Sequence, residues 1–228
     1  MLIWWGMVVA MRFRDRTDAG RQLAAVLGQR TWNRPVVLGL ARGGVPVAAS
    51  VAEALGAPLD VFVARKVGAP GQPELGIGAV AEDSDVVVWS AALEIVGVHP
   101  DEAEARAQRE RDEVRRRVAA YRAGRPLPDL SGRDVVVVDD GLATGVTAEA
   151  ALISISAHGP SALVLAVPVG APDAVARLGF AGVEVVCLHA PPGFRAVGSW
   201  YRDFSQTTDD EVRILLTDRS RHRDAPTW

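Results

Sequence analysis

The sequence is poor in cysteine and has no excess of either charge. Its 228 residues include a single cysteine, Cys187, which cannot form an internal disulfide. The chain therefore fits a reducing compartment, and we expect it to be cytoplasmic. Lysine and arginine total 25 against 28 acidic residues, which gives a net charge of -3. This balance excludes a general basic face, so we expect no nucleic-acid partner.

Long hydrophobic runs are also missing. The sequence has no stretch of about 18 apolar residues, and we therefore expect no membrane-spanning helix and no membrane partner. Residues 1–11 are apolar but lack the basic start of a secretory signal, so we predict a dispensable extension. The alternative is a short strand or a dimer contact through Trp4 and Trp5. Residues 12–218 are predicted to form a single domain, and the tail from 219 to 228 is expected to fray.

Short apolar runs alternate with helical patterns along the rest of the chain. Residues 66–75 contain two prolines and two glycines without periodicity, which predicts a loop. Residues 77–81 and 86–89 flank an acidic turn and predict a hairpin. The alternation predicts an α/β fold with a parallel sheet, whose ligands lie beyond the carboxyl ends of the strands. The predicted strands are 36–40, 59–64, 135–138, 162–167 and 183–188, and the main predicted helices are 45–55, 100–122, 147–157, 173–178 and 209–216.

Residues 135–147, VVVVDDGLATGVT, carry the strongest chemical signal. Four valines predict a buried strand that ends in two adjacent carboxylates, Asp139 and Asp140. A small-residue turn with hydroxyls at Thr144 and Thr147 then opens onto a helix, whose free N–H groups suit a phosphate. The carboxylates would repel that phosphate and would instead hold hydroxyls or a divalent cation. Together these features indicate a sugar phosphate, and the alternative is a solvated acid pair before an ordinary helix.

This string resembles the phosphoribosyl-pyrophosphate (PRPP) signature of the type I phosphoribosyltransferases. The resemblance implies that Asp139 and Asp140 contact the ribose hydroxyls, and that Mg²⁺ is held there through the ribose or water. It implies an α/β fold with a central, mostly parallel sheet flanked by helices, and with a small variable hood. Val146 departs from the pattern, because many members have a second glycine there. The loop implied to bind the 5-phosphate comprises Ala143, Thr144, Gly145, Val146 and Thr147.

Two further segments resemble parts of the same family. Arg42, Gly43 and Gly44 follow the first predicted strand, where family members grip the pyrophosphate, and an arginine suits that anion. Residues 65–80 resemble the flexible loop that closes over the reaction centre. This loop begins at Lys66, the single lysine of the chain, which the resemblance implies is a pyrophosphate contact. The alternatives are an exposed arginine at a strand–helix turn and a lysine placed there by chance.

The acceptor pocket is the least defined part of the prediction. Hood pieces are expected near residues 12–30 and 189–218, with His189, Trp200 and Tyr201 as candidate acceptor contacts. An aromatic ring could stack on a flat acceptor, although packing within the hood is the alternative for each of these residues. The family resemblance also suggests a homodimer.

The resemblance implies a magnesium-dependent phosphoribosyltransferase. A nitrogenous base or amine would displace pyrophosphate from PRPP, with Arg42, Lys66, Asp139 and Asp140 as the catalytic set. Two alternatives stay open at this point. One is a regulator that binds PRPP without turnover, and the other is a structural domain of the kind usually fused to a hydrolase.

Overall fold

The structure is a computed structural model that describes residues 12–180 and 183–223. The prediction for residues 1–11 lies outside this range. A 3-10 turn covers Val197–Trp200. The elements in chain order are α1 Arg16–Leu27, β1 Val36–Leu40, α2 Gly44–Leu55, β2 Leu59–Phe62, β3 Ala64–Ala69, β4 Gln72–Ala81, β5 Val87–Trp89, α3 Ala92–Val96, α4 Pro100–Arg122, β6 Asp134–Val138, α5 Val146–Ser156, β7 Ala162–Val169, α6 Pro172–Phe180, β8 Glu184–His189 and α7 Asp209–Arg223.

A five-stranded parallel sheet with the strand order β2-β1-β6-β7-β8 forms the centre of the molecule. The middle strand is β6, which pairs with β1 so that Gly39 lies opposite Val138. All five residues of β1 are buried, as are the four valines of β6, because helices cover both faces of the sheet. The predicted α/β fold with a central parallel sheet flanked by helices is therefore confirmed.

The helices on the two faces of this sheet create a switch point between β1 and β6. Helices α1 and α2 pack on one face, where Leu23 and Val47 lie against Val136. Helices α5 and α6 pack on the other face, where Ile155 contacts the cluster around Val135. The chain thus leaves β1 towards one face and leaves β6 towards the other. In open α/β sheets, ligands bind at such a point, beyond the carboxyl ends of the two strands.

The loop prediction for residues 66–75 is wrong. Strands β3 and β4 run antiparallel through this segment and form a second sheet with β5. Prolines and glycines are accommodated because the pairing register shifts on both sides of Gly68, and Gly71 takes the turn with a φ of 70°. The predicted strand 59–64 is divided, since Ala64 belongs to the second sheet. The predicted hairpin between residues 77–81 and 86–89 is confirmed.

A buried ion cluster joins the second sheet to the first. Arg122, the last residue of α4, donates to Glu82 at 2.8 Å and to the carbonyl oxygen of Val61 at 2.6 Å, and its Nε lies 3.4 Å from Asp60. Burial raises the pKa of Glu82 to about 7, although Arg122 opposes that shift. This cluster fixes the carboxyl end of β4 and the start of β2 relative to α4.

The C-terminal helix α7 packs against α2 and α4. It continues to Arg223, so residues 219–223 of the predicted frayed tail are helical, and residues 224–228 lie outside the described residues. Within the residues that the structure describes, no helix is both long and apolar enough to cross a membrane.

Candidate functional site

The acid pair lies at the switch point, directly after β6. The backbone N–H of Asp140 donates to the Asp139 side chain at 2.8 Å. The turn that follows is anchored to β7, because Leu142 N–H donates to the Val169 carbonyl oxygen at 2.8 Å. A second bond runs from Ala171 N–H to the Leu142 carbonyl oxygen at 2.7 Å. These bonds hold the two carboxylates on a rigid turn.

The two carboxylates have different surroundings. Asp140 forms an ion pair with Arg16, whose Nε lies 2.8 Å from the Asp140 Oδ2, and both side chains are nearly buried. Burial raises the pKa of Asp140, and Arg16 opposes this rise. Burial raises the pKa of Asp139 well above its ordinary range, and the charge of Asp140 raises it further. A cation or a pair of hydroxyl donors beside Asp139 would therefore relieve an unfavourable charge.

Arg16 is a site residue that sequence reasoning missed. It begins α1, and its Nη1 donates to the Ser205 carbonyl oxygen at 2.7 Å. Its guanidinium also lies 4.0 Å from the centre of the Phe204 ring. The contact with Asp140 spans 124 positions of the chain, so no local pattern could have indicated it.

The predicted pyrophosphate loop packs directly on the acid pair. A side chain at Gly43 would overlap the carboxylate of Asp140, and a Cβ at Gly44 would lie 2.9 Å from Asp139 Cα. The approach of this loop to the acid pair therefore requires glycine at both positions. The peptide bond between Ala41 and Arg42 is cis.

Two helix N-termini begin on either side of the acid pair. Helix α2 starts at Gly44, and α5 starts after Gly145, which has a φ of 77°. Neither helix has a side-chain cap. The first-turn N–H groups of α5 are therefore available to an anion. In the first turn of α2, the Val45 N–H donates to the Arg42 carbonyl oxygen at 3.2 Å and Pro46 has no N–H, so Gly44 supplies the N–H there. The predicted phosphate residues Ala143 and Thr144 are exposed, and Val146 and Thr147 form the first turn of α5.

Helix α6 supports the predicted phosphate loop from outside. The Arg177 Nη2 donates to the carbonyl oxygen of Thr144 at 2.8 Å, and Arg177 also pairs with Glu149. This arginine was not predicted from the sequence. It fixes the backbone of the turn that precedes the α5 N-terminus.

The two predicted cations face different parts of the molecule. The Nη1 of Arg42 lies 3.6 Å from the Oδ1 of Asp209, at the start of α7. The Nζ of Lys66 lies 3.1 Å from the Glu74 carboxylate and 3.0 Å from its carbonyl oxygen, both on the same hairpin. Lys66 also lines a cavity of about 360 Å³ between that hairpin and α4, together with Arg106. Arg42 thus lies next to Gly43 and Gly44, which pack on the acid pair, whereas Lys66 lines the cavity beside α4.

The hood prediction needs a correction at Tyr201. Only 3% of this residue is exposed, and its ring contacts Phe13 and Phe204 at centroid distances of 5.4 and 5.0 Å. Its hydroxyl donates to the Asp140 carbonyl oxygen at 2.6 Å, and burial raises the pKa of the phenol. Tyr201 therefore supports the acid-pair turn and offers no open face to an acceptor. Trp200 is partly buried in the same cluster.

His189 ends β8, and its ring lies 5.6 Å from that of Phe13. Sequence reasoning had placed it just beyond the strand. It lies next to the buried cluster of Phe13, Val169 and Tyr201, at the same carboxyl edge of the sheet as the acid pair.

The acid pair fits a magnesium ion only if substrate oxygens complete its shell. Within residues 12–180 and 183–223, no group of three or more histidine, cysteine or acidic side chains is arranged to hold a metal. Magnesium is usually bound by one or two carboxylates together with substrate phosphates and water. Asp139 and Asp140 supply two such carboxylates. Asp140 is already paired with Arg16, whereas no described side chain forms an ion pair with Asp139.

Comparisons with known proteins show which family the chain belongs to. Residues 14–178 match the family model described as the phosphoribosyl transferase domain. A curated protein of Mycobacterium tuberculosis named "Putative phosphoribosyl transferase" is 51% identical over 214 residues, which cover 93% of this chain and 47% of that protein. The crystal structure of TT1426 from Thermus thermophilus is 49% identical, with a TM-score of 0.76, and the match covers 91% of this chain and 99% of that one.

The match of the family model over most of the chain, together with the fold and the site, identifies its class. The chain belongs to the phosphoribosyl transferase domain family. It spans about half the length of the curated relatives that it matches.

Proposed function

We propose that this protein is a magnesium-dependent phosphoribosyltransferase that uses PRPP and a nitrogenous acceptor. One observation carries the proposal: two helix N-termini without side-chain caps flank a pair of carboxylates at the switch point of the sheet. PRPP has the matching chemistry, because a 5-phosphate and a pyrophosphate lie on opposite sides of its two ribose hydroxyls. Membership of the phosphoribosyl transferase domain family supports the same conclusion.

In this proposal, Asp139 and Asp140 accept hydrogen bonds from the ribose hydroxyls. The N–H groups at the start of α5 bind the 5-phosphate, and Arg42 with the Gly44 N–H at the start of α2 binds the pyrophosphate. Mg²⁺, held by the acid pair through the ribose or water and by the pyrophosphate, would neutralise part of the negative charge of the leaving group.

The reaction forms a bond from the acceptor nitrogen to C1 of the ribose and breaks the bond from C1 to the pyrophosphate oxygen. The electron pair of that bond leaves with the pyrophosphate. We infer that the protein contributes mainly by holding the reactants in line and by stabilising charge on the leaving group. Lys66 remains a proposed contact, and it would have to turn from Glu74 towards the pyrophosphate.

The test is pyrophosphate release from PRPP with Mg²⁺ and a panel of purines, pyrimidines and amines. We expect release with at least one acceptor and none with the Asp139→Asn, Asp140→Asn double variant. Binding of PRPP without release across the panel would favour the regulatory alternative. A protein that binds no PRPP at millimolar concentration would contradict the proposal as a whole.

A further inference from the structure

The segment Tyr201–Asp209, which we call the strap, crosses three parts of the proposed PRPP site. Tyr201 donates to the carbonyl oxygen of Asp140, the Ser205 carbonyl oxygen accepts from Arg16, and Asp209 faces Arg42. The strap lies outside residues 14–178, which match the family model. Its start is fixed to the N-terminal segment, because Arg202 N–H donates to the Phe13 carbonyl oxygen at 2.8 Å.

Asp209 is itself held in place from α4. The hydroxyl of Tyr121 donates to the Asp209 Oδ1 at 2.7 Å, and Arg116 lies 3.9 Å from the other carboxylate oxygen. The Tyr121 bond lowers the pKa of Asp209, so the group is a carboxylate at neutral pH. Arg42 therefore faces an anion whose position is set by a second element of the fold.

The same geometry leaves part of the Arg42 guanidinium available. Its Nη1 approaches Asp209 at 3.6 Å, and 26% of the side chain is exposed. A guanidinium has five N–H donors, so a single carboxylate on one side does not satisfy them. An arginine side chain also has many rotamers, and a fixed partner reduces their number before a ligand binds.

We propose that Asp209 is a positioning residue that holds Arg42 in the orientation in which its remaining N–H groups meet the pyrophosphate. The proposal rests on the proposed function for the identity of the ligand. Charge alone predicts the opposite effect, since the Asp209 carboxylate repels a pyrophosphate. The two effects predict opposite changes in affinity when the charge of Asp209 is removed.

The first experiment is a double-mutant cycle on the binding of Mg-PRPP and of magnesium pyrophosphate, measured by calorimetry. We expect Asp209→Asn to weaken both ligands by about tenfold in the wild-type background and to change little in an Arg42→Ala background. Asp210→Asn is the matched control, because Asp210 is 82% exposed on the same turn and pairs with Arg213. It should bind both ligands as the wild type does.

Tighter or unchanged binding by Asp209→Asn would overturn the proposal. An equal loss of affinity in both backgrounds would also overturn it, because Asp209 would then not act through Arg42. Thermal unfolding of each variant without ligand shows whether the protein is still folded, and so identifies any loss of affinity that is caused by unfolding.

The second experiment needs no ligand, and so separates this proposal from the proposed function. Nitrogen-15 NMR of the guanidinium groups, with the Arg42 signal assigned from Arg42→Lys, reports rotation about the Nε–Cζ bond. We expect restricted rotation of Arg42 in the wild type and faster rotation in Asp209→Asn. Equal rotation in the two proteins would contradict the positioning role, even if PRPP binds normally. Absence of PRPP binding in the wild type, with restricted Arg42 rotation, would instead contradict only the proposed function.

Discussion

Replacing Asp139 with asparagine should stabilise the ligand-free fold at neutral pH while removing PRPP binding. Asparagine keeps the volume of the side chain and the oxygen that accepts from Asp140 N–H at 2.8 Å. The substitution therefore removes only a partly buried negative charge and its repulsion with Asp140. Stabilising substitutions of this kind at strained functional sites commonly contribute about 0.5–2 kcal/mol. For a domain of this size, 1 kcal/mol shifts Tm by roughly 2–4 °C.

The pH dependence follows from the raised pKa of Asp139. As pH rises above the ordinary value of 3.8, the unfolded chain releases this proton before the native protein does. The native state then binds more protons than the unfolded state, so wild-type stability falls with rising pH across that interval. The Asp139→Asn variant lacks this loss. Its advantage should therefore be near zero at about pH 4 and largest at neutral pH.

Thermal and urea unfolding of both proteins across this pH range provides the assay. Asp134→Asn is a control from the amino end of the same strand, where the carboxylate accepts from Asn33 N–H and from Ser161, each at 2.7 Å. That variant should gain no stability. The reasoning is refuted if Asp139→Asn is less stable than the wild type at neutral pH, or if its gain does not shrink on acidification.

Three further substitutions test separate parts of the site. Gly44→Ala should lower the free energy of unfolding by about 1–3 kcal/mol in urea, because the added Cβ overlaps the end of the acid-pair strand. Gly179→Ala is the control, since a Cβ there meets open space and should cause no such loss. Equal stabilities of the two variants would contradict this packing. Tyr201→Phe should cost about 1 kcal/mol by leaving the Asp140 carbonyl oxygen without its donor, and unchanged stability would argue against that bond. Lys66→Arg should lower turnover in the pyrophosphate-release assay, because a fork of donors replaces a compact ammonium; normal turnover would remove the case for a specific lysine.

Local sequence patterns predicted the parts of the site that are formed by a single continuous segment of the chain. Four consecutive valines before Asp139 and Asp140 predicted the buried strand of the acid pair, and α5 begins within one residue of the predicted start. The strand is recognisable because an apolar run covered on both faces needs no other signal. The turn of small residues after this strand likewise predicted where α5 begins.

The parts that depend on distant contacts were not predictable. Arg16 meets Asp140 across 124 positions and Tyr201 meets it across 61, so neither residue carries a local signal of its role. The hairpin at residues 66–75 was missed for a different reason. Its prolines and glycines are typical of loops, yet they pair at a register shift around Gly68, which only the partner strand reveals.

We propose that the acid pair and the two helix N-termini bind PRPP. The most direct measurement is calorimetric titration of Mg-PRPP into the wild type and into the Asp139→Asn, Asp140→Asn double variant, with folding of both verified by thermal unfolding. We expect saturable binding by the wild type and none by the folded double variant. Equal binding by the two proteins, or no binding by the wild type at millimolar PRPP, would contradict it.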